Sequence, residues 1–259
     1  MDLSCFLADL PHHPSLDNLV VLAAVDSTNS LARRIAGEYL KESSRVPEAL
    51  VVALEQTAGR GRHGRSWGSP VGQGVYATLM LCPQAAQLPI LPLIAGVGLA
   101  TVLNRYLDVP CGLKWPNDLM VPGGKLGGIL IETTLRPDLP PVALVGFGVN
   151  YGGDPRLLPP GAAVVAPLCT QPPPLGRLVV ELAAEVVASC QRLQEPQAAV
   201  AAYQELSLHR PGDVISCRLG EERVESVFRG FDAHGFLRLE REGREIVINT
   251  GDLESYRHE

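Results

Sequence analysis

Lysine is nearly missing from this chain. Lys41, Lys114 and Lys125 are the only three, and the other nineteen of its 22 cations are arginine. A GC-rich genome, which also favours alanine, glycine and proline, is the plain explanation of the bias. Against that background a lysine marks a place where a compact point charge suits better than a planar fork. Cysteine is present six times, at positions 5, 82, 111, 169, 190 and 217, but never as a CxxC pair, and no HExxH occurs. The sequence therefore gives no support for a zinc or dithiol enzyme. A basic surface is also missing. The formal net charge is -6, the wrong sign for neutralising phosphate backbones, so no nucleic-acid partner is expected. There is no basic region followed by an apolar run at the N-terminus, hence no signal peptide. The longest apolar stretch, 88–103, holds two prolines and ends at Asn104-Arg105, too short and too interrupted to span a bilayer. No membrane partner and a cytoplasmic location are expected. Internal repeats are lacking too.

What is present is material for a core. Hydrophobic residues make up 46% and charged residues 19% of 259 positions, a globular composition. Residues 19–25 (LVVLAAV) form a strand-length apolar run, and Asp26-Ser27-Thr28-Asn29 follows as a set of helix N-cap residues. Leu31, Ile35 and Tyr39 then recur every four positions, which predicts a helix to about 42. Short strands are expected at 50–54, 75–81, 127–133 and 142–149. A core helix is expected at 91–107, and a turn containing Pro and Gly between 116 and 127. Seven prolines in 152–176 mark a connector. Helices follow at about 177–195 and 197–208. Beyond His209-Arg210-Pro211 the pattern changes to short strands at 214–219, 223–231, 235–240 and 245–249. Their turns are Gly220-Glu221-Glu222, 232–235 and 241–243. This spacing predicts a small β-barrel. The expected domains are therefore 1–208 and 209–259. In the second, acidic residues outnumber arginines eleven to eight.

Three segments carry chemistry. The first is 55–67, EQTAGRGRHGRSW. Gly59, Gly61 and Gly64 fit G-x-G-x-x-G and nearly fit a phosphate-binding P-loop, but both motifs need a helix immediately afterwards. Residues 66–74, SWGSPVGQG, cannot supply one. A dinucleotide fold also wants an acid about 20 residues on, and no Asp or Glu occurs from 56 to 107. What remains is three arginines alternating with glycines in an acid-free stretch. Such a loop is a solvated basic segment or an anion cradle of guanidinium forks and backbone N–H groups that orders when its ligand arrives. The second segment is KWPND at 114–118 followed by GGKLGGILIE at 123–132. Lys125 there reads as a hairpin-tip lysine, a reading that the glycines past the tip weaken, since they favour close approach of a ligand or another strand. The third, Gly146-Phe147-Gly148-Val149-Asn150, is an ordinary strand end when taken alone.

Taken in order, the DSTN helix start, the GRGR-x-GR loop, KWPND, G-K-L-x-G-I-L-x-E and G-x-G-x-N resemble the biotin protein ligase family. The likeness is close over about 19–151 and extends to the tail. The resemblance implies an α/β catalytic domain with a mixed sheet, of the class II aminoacyl-tRNA synthetase-like kind, followed by an SH3-like β-barrel. It implies ATP and biotin as substrates with Mg²⁺, and biotinyl-5′-adenylate as the intermediate. The acceptor is a lysine of the biotin carboxyl carrier protein of acetyl-CoA carboxylase. Ser27, Thr28, Asn29 and Gln56 would hold the biotin head group, Ser27 capping the helix at the same time. Arg60, Gly61 and Arg62 would close over biotin and the adenylate phosphate. Arg65, Trp67 and Asn150 would serve the nucleotide. Asn117 and Asp118 would handle ATP, Asp118 through its magnesium. Lys125 would meet both the biotin carboxylate and the α-phosphate. His63 stands where the family often has another arginine. Some members carry an N-terminal helix-turn-helix repressor domain, for which the 25 residues before Asp26 leave no room, so a ligase without DNA binding is expected. A homodimer stays open, as do two other functions: a lipoate or octanoate ligase, and a biotin sensor without turnover.

Overall fold

The computed structural model describes residues 2–16, 18–154, 158–219, 222–249, 251 and 253–257. Its larger sheet has seven strands, β1 (Leu19–Leu22), β2 (Ala49–Ala53), β3 (Gly74–Leu81), β4 (Gly112–Lys114), β5 (Asp118–Val121), β6 (Gly124–Arg136) and β7 (Leu139–Asn150). They lie in the order β1-β2-β3-β7-β6-β5-β4. Only β1 and β2 pair in parallel; the other neighbours are antiparallel. This is a mixed α/β sheet.

Both faces are covered, and the sequence shows how. All eight residues of β3 are buried, as expected of a strand with helices on either side. Val75, Ala77, Leu79 and Leu81 face helices α3 (Leu91–Tyr106) and α4 (Leu175–Arg192), whereas Met80 faces α2 (Thr28–Lys41). Helix α2 buries Ala32, Ala36 and Leu40, a stripe with a step of four. The small alanines bring its axis close to Val51, Val142 and Leu144. Helix α3 is apolar nearly all round because it lies between the sheet and α4. A Cβ on its Gly98 would come within 3.1 Å of the α4 backbone at Val186. Two shorter helices complete the chain, α1 (Leu3–Ala8) and α5 (Pro196–Leu206).

The tail forms five antiparallel strands, β8 (Val214–Leu219), β9 (Glu222–Phe231), β10 (Leu237–Arg241), β11 (Arg244–Ile248) and β12 (Leu253–Arg257), ordered β11-β10-β9-β8-β12. Its apolar interior is continuous with the main core. Tyr203 of α5 stacks edge-on against Phe231 with ring centres 5.4 Å apart, and the Trp115 indole N–H donates to the Gly235 carbonyl at 2.9 Å.

Several expectations need correcting. The 116–127 stretch is not one turn but contains β5, so KWPND is the tip of one hairpin and 122–123 that of the next. The alternation is hidden there because β5 is only four residues long. Lys125 is the second residue of β6 rather than a residue before the strand. Helix α1 and strand β12 were not anticipated; each is short and lacks a distinctive period. The turn placed at Gly220-Glu221-Glu222 falls partly outside the described residues.

Candidate active site

A cavity of about 370 Å³ opens above the α2 side of the large sheet, between the 55–67 loop, the KWPND hairpin and the start of β6. Ser27, Thr28, Asn29, Gln56, Arg60, Gly61, Arg62, Arg65, Trp67, Asn117, Asp118, Lys125 and Asn150 all line it. Residues spread over 124 positions of sequence thus meet in one place.

Its floor is made by absences of side chain. Gly146 and Gly148 on β7 sit opposite Leu130 and Gly128 on β6. A Cβ on Gly146 would fall 2.0 Å from Asn29 Oδ1, and one on Gly148 would fall 2.6 Å from the Trp67 ring. The G-x-G spacing therefore seats first the amide of α2 and then the indole of the loop, because alternate residues of a strand share one face. Gly128 does the same for Lys125, whose Cε and Nζ lie 3.4 Å from where its Cβ would be.

One end of the floor is a closed network of neutral groups. Ser27 stands at the N-cap of α2 in an extended conformation, but its side chain makes no capping bond. This corrects the expectation that Ser27 caps. The cap is Gln56, brought alongside by the Val25–Gln56 bridge. Its amide oxygen accepts from the Thr28 N–H at 2.9 Å and the Thr28 hydroxyl at 3.2 Å, while its NH₂ donates to Ser69 Oγ at 2.9 Å. Thr78, buried in β3, donates to Asn29 Oδ1 at 2.6 Å and lies 2.9 Å from Thr28 Oγ1. Thr78, which with Tyr76 carries the only hydroxyls of an otherwise apolar strand, could have been noticed in the sequence. Just outside, Arg34 grips Asp26 with two hydrogen bonds of 2.8 and 3.1 Å and holds its carboxyl down at about 2.

The other end is cationic, and each cation leans on an acceptor of the protein. Lys125 Nζ donates to Asp118 Oδ1 at 2.6 Å and stands 5.6 Å above the Trp67 ring. Arg62 donates to Asn117 Oδ1 at 3.1 Å and, across to the tail, to the Gly251 carbonyl at 3.3 Å. Arg60 pairs with Glu132 at 3.0 Å. Asn117 is fixed by reciprocal bonds with Ile129 of β6, both 2.9 Å. Asn150 is bonded to backbone carbonyls rather than to the loop arginines. Its amide donates to the carbonyls of Lys125 and Ala163 at 3.4 and 3.1 Å, clamping the 161–163 segment against the lysine's backbone. Two donors of the lining, Arg60 Nε and Trp67 Nε1, are buried without a hydrogen bond among the described residues. Each such group costs about 1–3 kcal/mol until an acceptor meets it.

The loop itself is an arch with its own pairing. Gly61 N–H donates to Arg65 O at 2.7 Å and Trp67 N–H to Gly59 O at 2.9 Å, with Arg60 bridged to Ser66. His63 and Gly64 turn the tip with positive φ angles of 54° and 72°. Part of the order expected from a ligand is therefore present in the backbone.

A neutral hydrogen-bonding pocket ending in a cluster of cations suits a ligand with a neutral body and an anionic end. The family model described as the biotin/lipoate A/B protein ligase family matches residues 21–150. The chain belongs to this family. It is 30% identical over 246 residues to a biotin--[acetyl-CoA-carboxylase] ligase of Mycobacterium tuberculosis, across 91% of this chain and 88% of that protein. It is 35% identical over 247 residues to the enzyme of the same name from Paracoccus denitrificans, across 88% and 96%. The solved structure of a biotin protein ligase from Aquifex aeolicus in complex with biotin and ATP superposes with a TM-score of 0.71 at 25% identity, covering 94% of this chain and all of that one. Beyond the motifs marked in the sequence, the ligase-family cavity is also lined by 158–162 and by Leu253 of β12. The connector and the tail carried no motif that would have placed them here.

Proposed function

We propose that this chain is a biotin protein ligase. It joins biotin and ATP to form biotinyl-5′-adenylate, then passes the biotin to a lysine of the biotin carboxyl carrier protein of acetyl-CoA carboxylase. The observation that carries this reading is one cavity holding both a network of neutral hydrogen-bonding groups and a cationic rim. Biotin's ring system is neutral and rich in hydrogen-bonding atoms, and its reacting end is an anion.

The chemistry asks for charge stabilisation rather than a protein nucleophile. The carboxylate attacks the α-phosphorus and pyrophosphate leaves; the acceptor amine then attacks the anhydride carbonyl and AMP leaves. Two anions must approach each other in the first step, so fixed cations lower the barrier. Ser27, Thr28, Asn29 and Gln56 hold the ring system. Arg60, Gly61 and Arg62 close over the carboxylate and the phosphate, Lys125 touches both, and Arg65, Trp67 and Asn150 support the nucleotide. Asn117 and Asp118 receive the triphosphate. Asp118 would hold the magnesium that accompanies ATP, an ion that would offset the triphosphate charge, and Lys125, now paired with Asp118, would then be available to the phosphate. Asp118 is a carboxylate in the cavity lining, a hard oxygen donor of the kind magnesium takes.

The architecture proposed for this reaction is a class II aminoacyl-tRNA synthetase-like domain over 1–208 and an SH3-like barrel over 209–259. The Arg62 contact to Gly251 gives the tail a part in the nucleotide site. The test is pyrophosphate exchange into ATP with biotin, lipoate or octanoate as the acid. Exchange with biotin is expected. Exchange with lipoate or octanoate alone would reassign the substrate, and exchange with none would leave a binding protein without turnover.

A further inference from the structure

Glu132 lies outside the cavity lining, on β6, two residues beyond Leu130, which lines the cavity opposite Gly146. Its carboxylate nevertheless holds three groups from two places, the 55–67 loop and α2. Oε2 accepts from Arg60 Nη2 at 3.0 Å and from Asn29 Nδ2 at 2.9 Å, and Oε1 pairs with Arg33 of α2. One oxygen thus joins the 55–67 loop to the start of α2. Asn29 is itself wedged against Gly146 and bonded to Thr78, so the position of Oε2 is fixed from behind. The Arg60 guanidinium is planar. Anchoring one Nη on a fixed carboxylate sets the plane of the group and the direction of its remaining donors, including the buried Nε that makes no hydrogen bond among the described residues.

We propose that Glu132 is a positioning residue for the acid substrate: it holds Arg60 by one edge so that the other edge meets the substrate carboxylate. The assignment rests on the ligase reading above. Glu132 touches no reacting atom. Its effect passes through Arg60 and falls mainly on the acid, because the phosphates are also met by Arg62, Lys125, Asn117 and Asp118. Arg33 plays no part in this; it is 51% exposed and shares only the other oxygen.

The experiment is steady-state pyrophosphate exchange with biotin and ATP varied in turn, together with thermal melting of every variant. Exchange by the unaltered chain is the check on the ligase reading itself, so failure there is separate from failure of Glu132. Glu132→Gln keeps the shape and removes the charge that grips the guanidinium. The KM for biotin is expected to rise about tenfold or more, with a clearly smaller change in the KM for ATP. In an Arg60→Ala background the same substitution is expected to add almost nothing, and Arg33→Ala alone is expected to leave both constants unchanged. If Glu132→Gln does not fold, Glu132→Asp, which withdraws the carboxylate by one methylene, is expected to show the same split. Equal losses for biotin and ATP, or an undiminished loss in the Arg60→Ala background, would make Glu132 a merely structural residue and overturn the assignment.

Discussion

The two ends of the cavity are built on opposite plans. At the floor, contacts are between groups that have no reason to part: Gln56 with Thr28 and Ser69, Thr78 with Asn29, and glycines cut to the shape of an amide and an indole. At the rim, Lys125, Arg60 and Arg62 are held by Asp118, Glu132 and the Asn117 amide with the Gly251 carbonyl. The difference teaches how one site can be both selective and reactive. Selectivity needs a preformed shape, in which a misplaced methyl is costly. Charge stabilisation needs cations that are already gathered, yet able to exchange a protein acceptor for a phosphate.

The contrast breaks most severely at Lys125. Lys125→Ala should leave biotin affinity within a few-fold and reduce pyrophosphate exchange by about 30- to 1000-fold, the 2–4 kcal/mol of a lost charge contact in a closed site. Titration calorimetry and exchange on the same preparation separate the two. A floor substitution should do the reverse. Gly146→Ala places a methyl on Asn29 Oδ1; overpacking of this kind costs about 1–3 kcal/mol. It should lower the melting temperature and weaken biotin binding by about tenfold, while the KM for ATP stays put. A drop confined to ATP would erase the distinction between the two ends.

The smallest effect lies just outside the floor, at the Asp26–Arg34 pair. Arg34 lowers the Asp26 carboxyl from 3.8 to about 2. A depressed carboxyl stabilises the fold above its unfolded value, and that contribution fades as pH falls from near 3.8 through about 2. Both partners are half exposed, at 57% and 45%, so the gain is small. Urea midpoints of the native chain and Asp26→Asn should differ slightly at pH 6 and converge toward pH 2.5. A gap that does not close would remove the pair from the account.

Most of the rim was legible in the sequence, because charged residues among glycines have few structural uses and Lys125 stood out where arginine is the rule. The floor was legible only in part. Gly146 and Gly148 looked like an ordinary strand end, since what they make room for is 117 and 81 positions away, at Asn29 and Trp67. Ser27 was expected to cap α2, but the cap comes from Gln56, across a parallel bridge that local patterns do not encode. Glu132 stood within a recognised motif without a role, because its partners Arg33 and Arg60 come from two other elements. Among the fold elements, α2, α3 and β3 followed from period and burial. Strands β5 and β12 did not, each being too short to show an alternation.

The exchangeable rim is tested most directly by Arg62→Gly. If Arg62 retains the intermediate through contacts separate from the floor, the variant still makes adenylate but loses it. A missing hydrogen bond to a charged group, about 1.5–3 kcal/mol, would speed escape by one to two orders of magnitude. Free anhydride acylates any exposed lysine, and this chain, with three lysines, offers few of its own. The measurement is pyrophosphate exchange by the variant beside a biotin blot of serum albumin incubated with it, biotin and ATP. The account predicts retained exchange with strongly labelled albumin. Albumin labelled no more than by the unaltered chain, or exchange lost together with biotin binding, would contradict it.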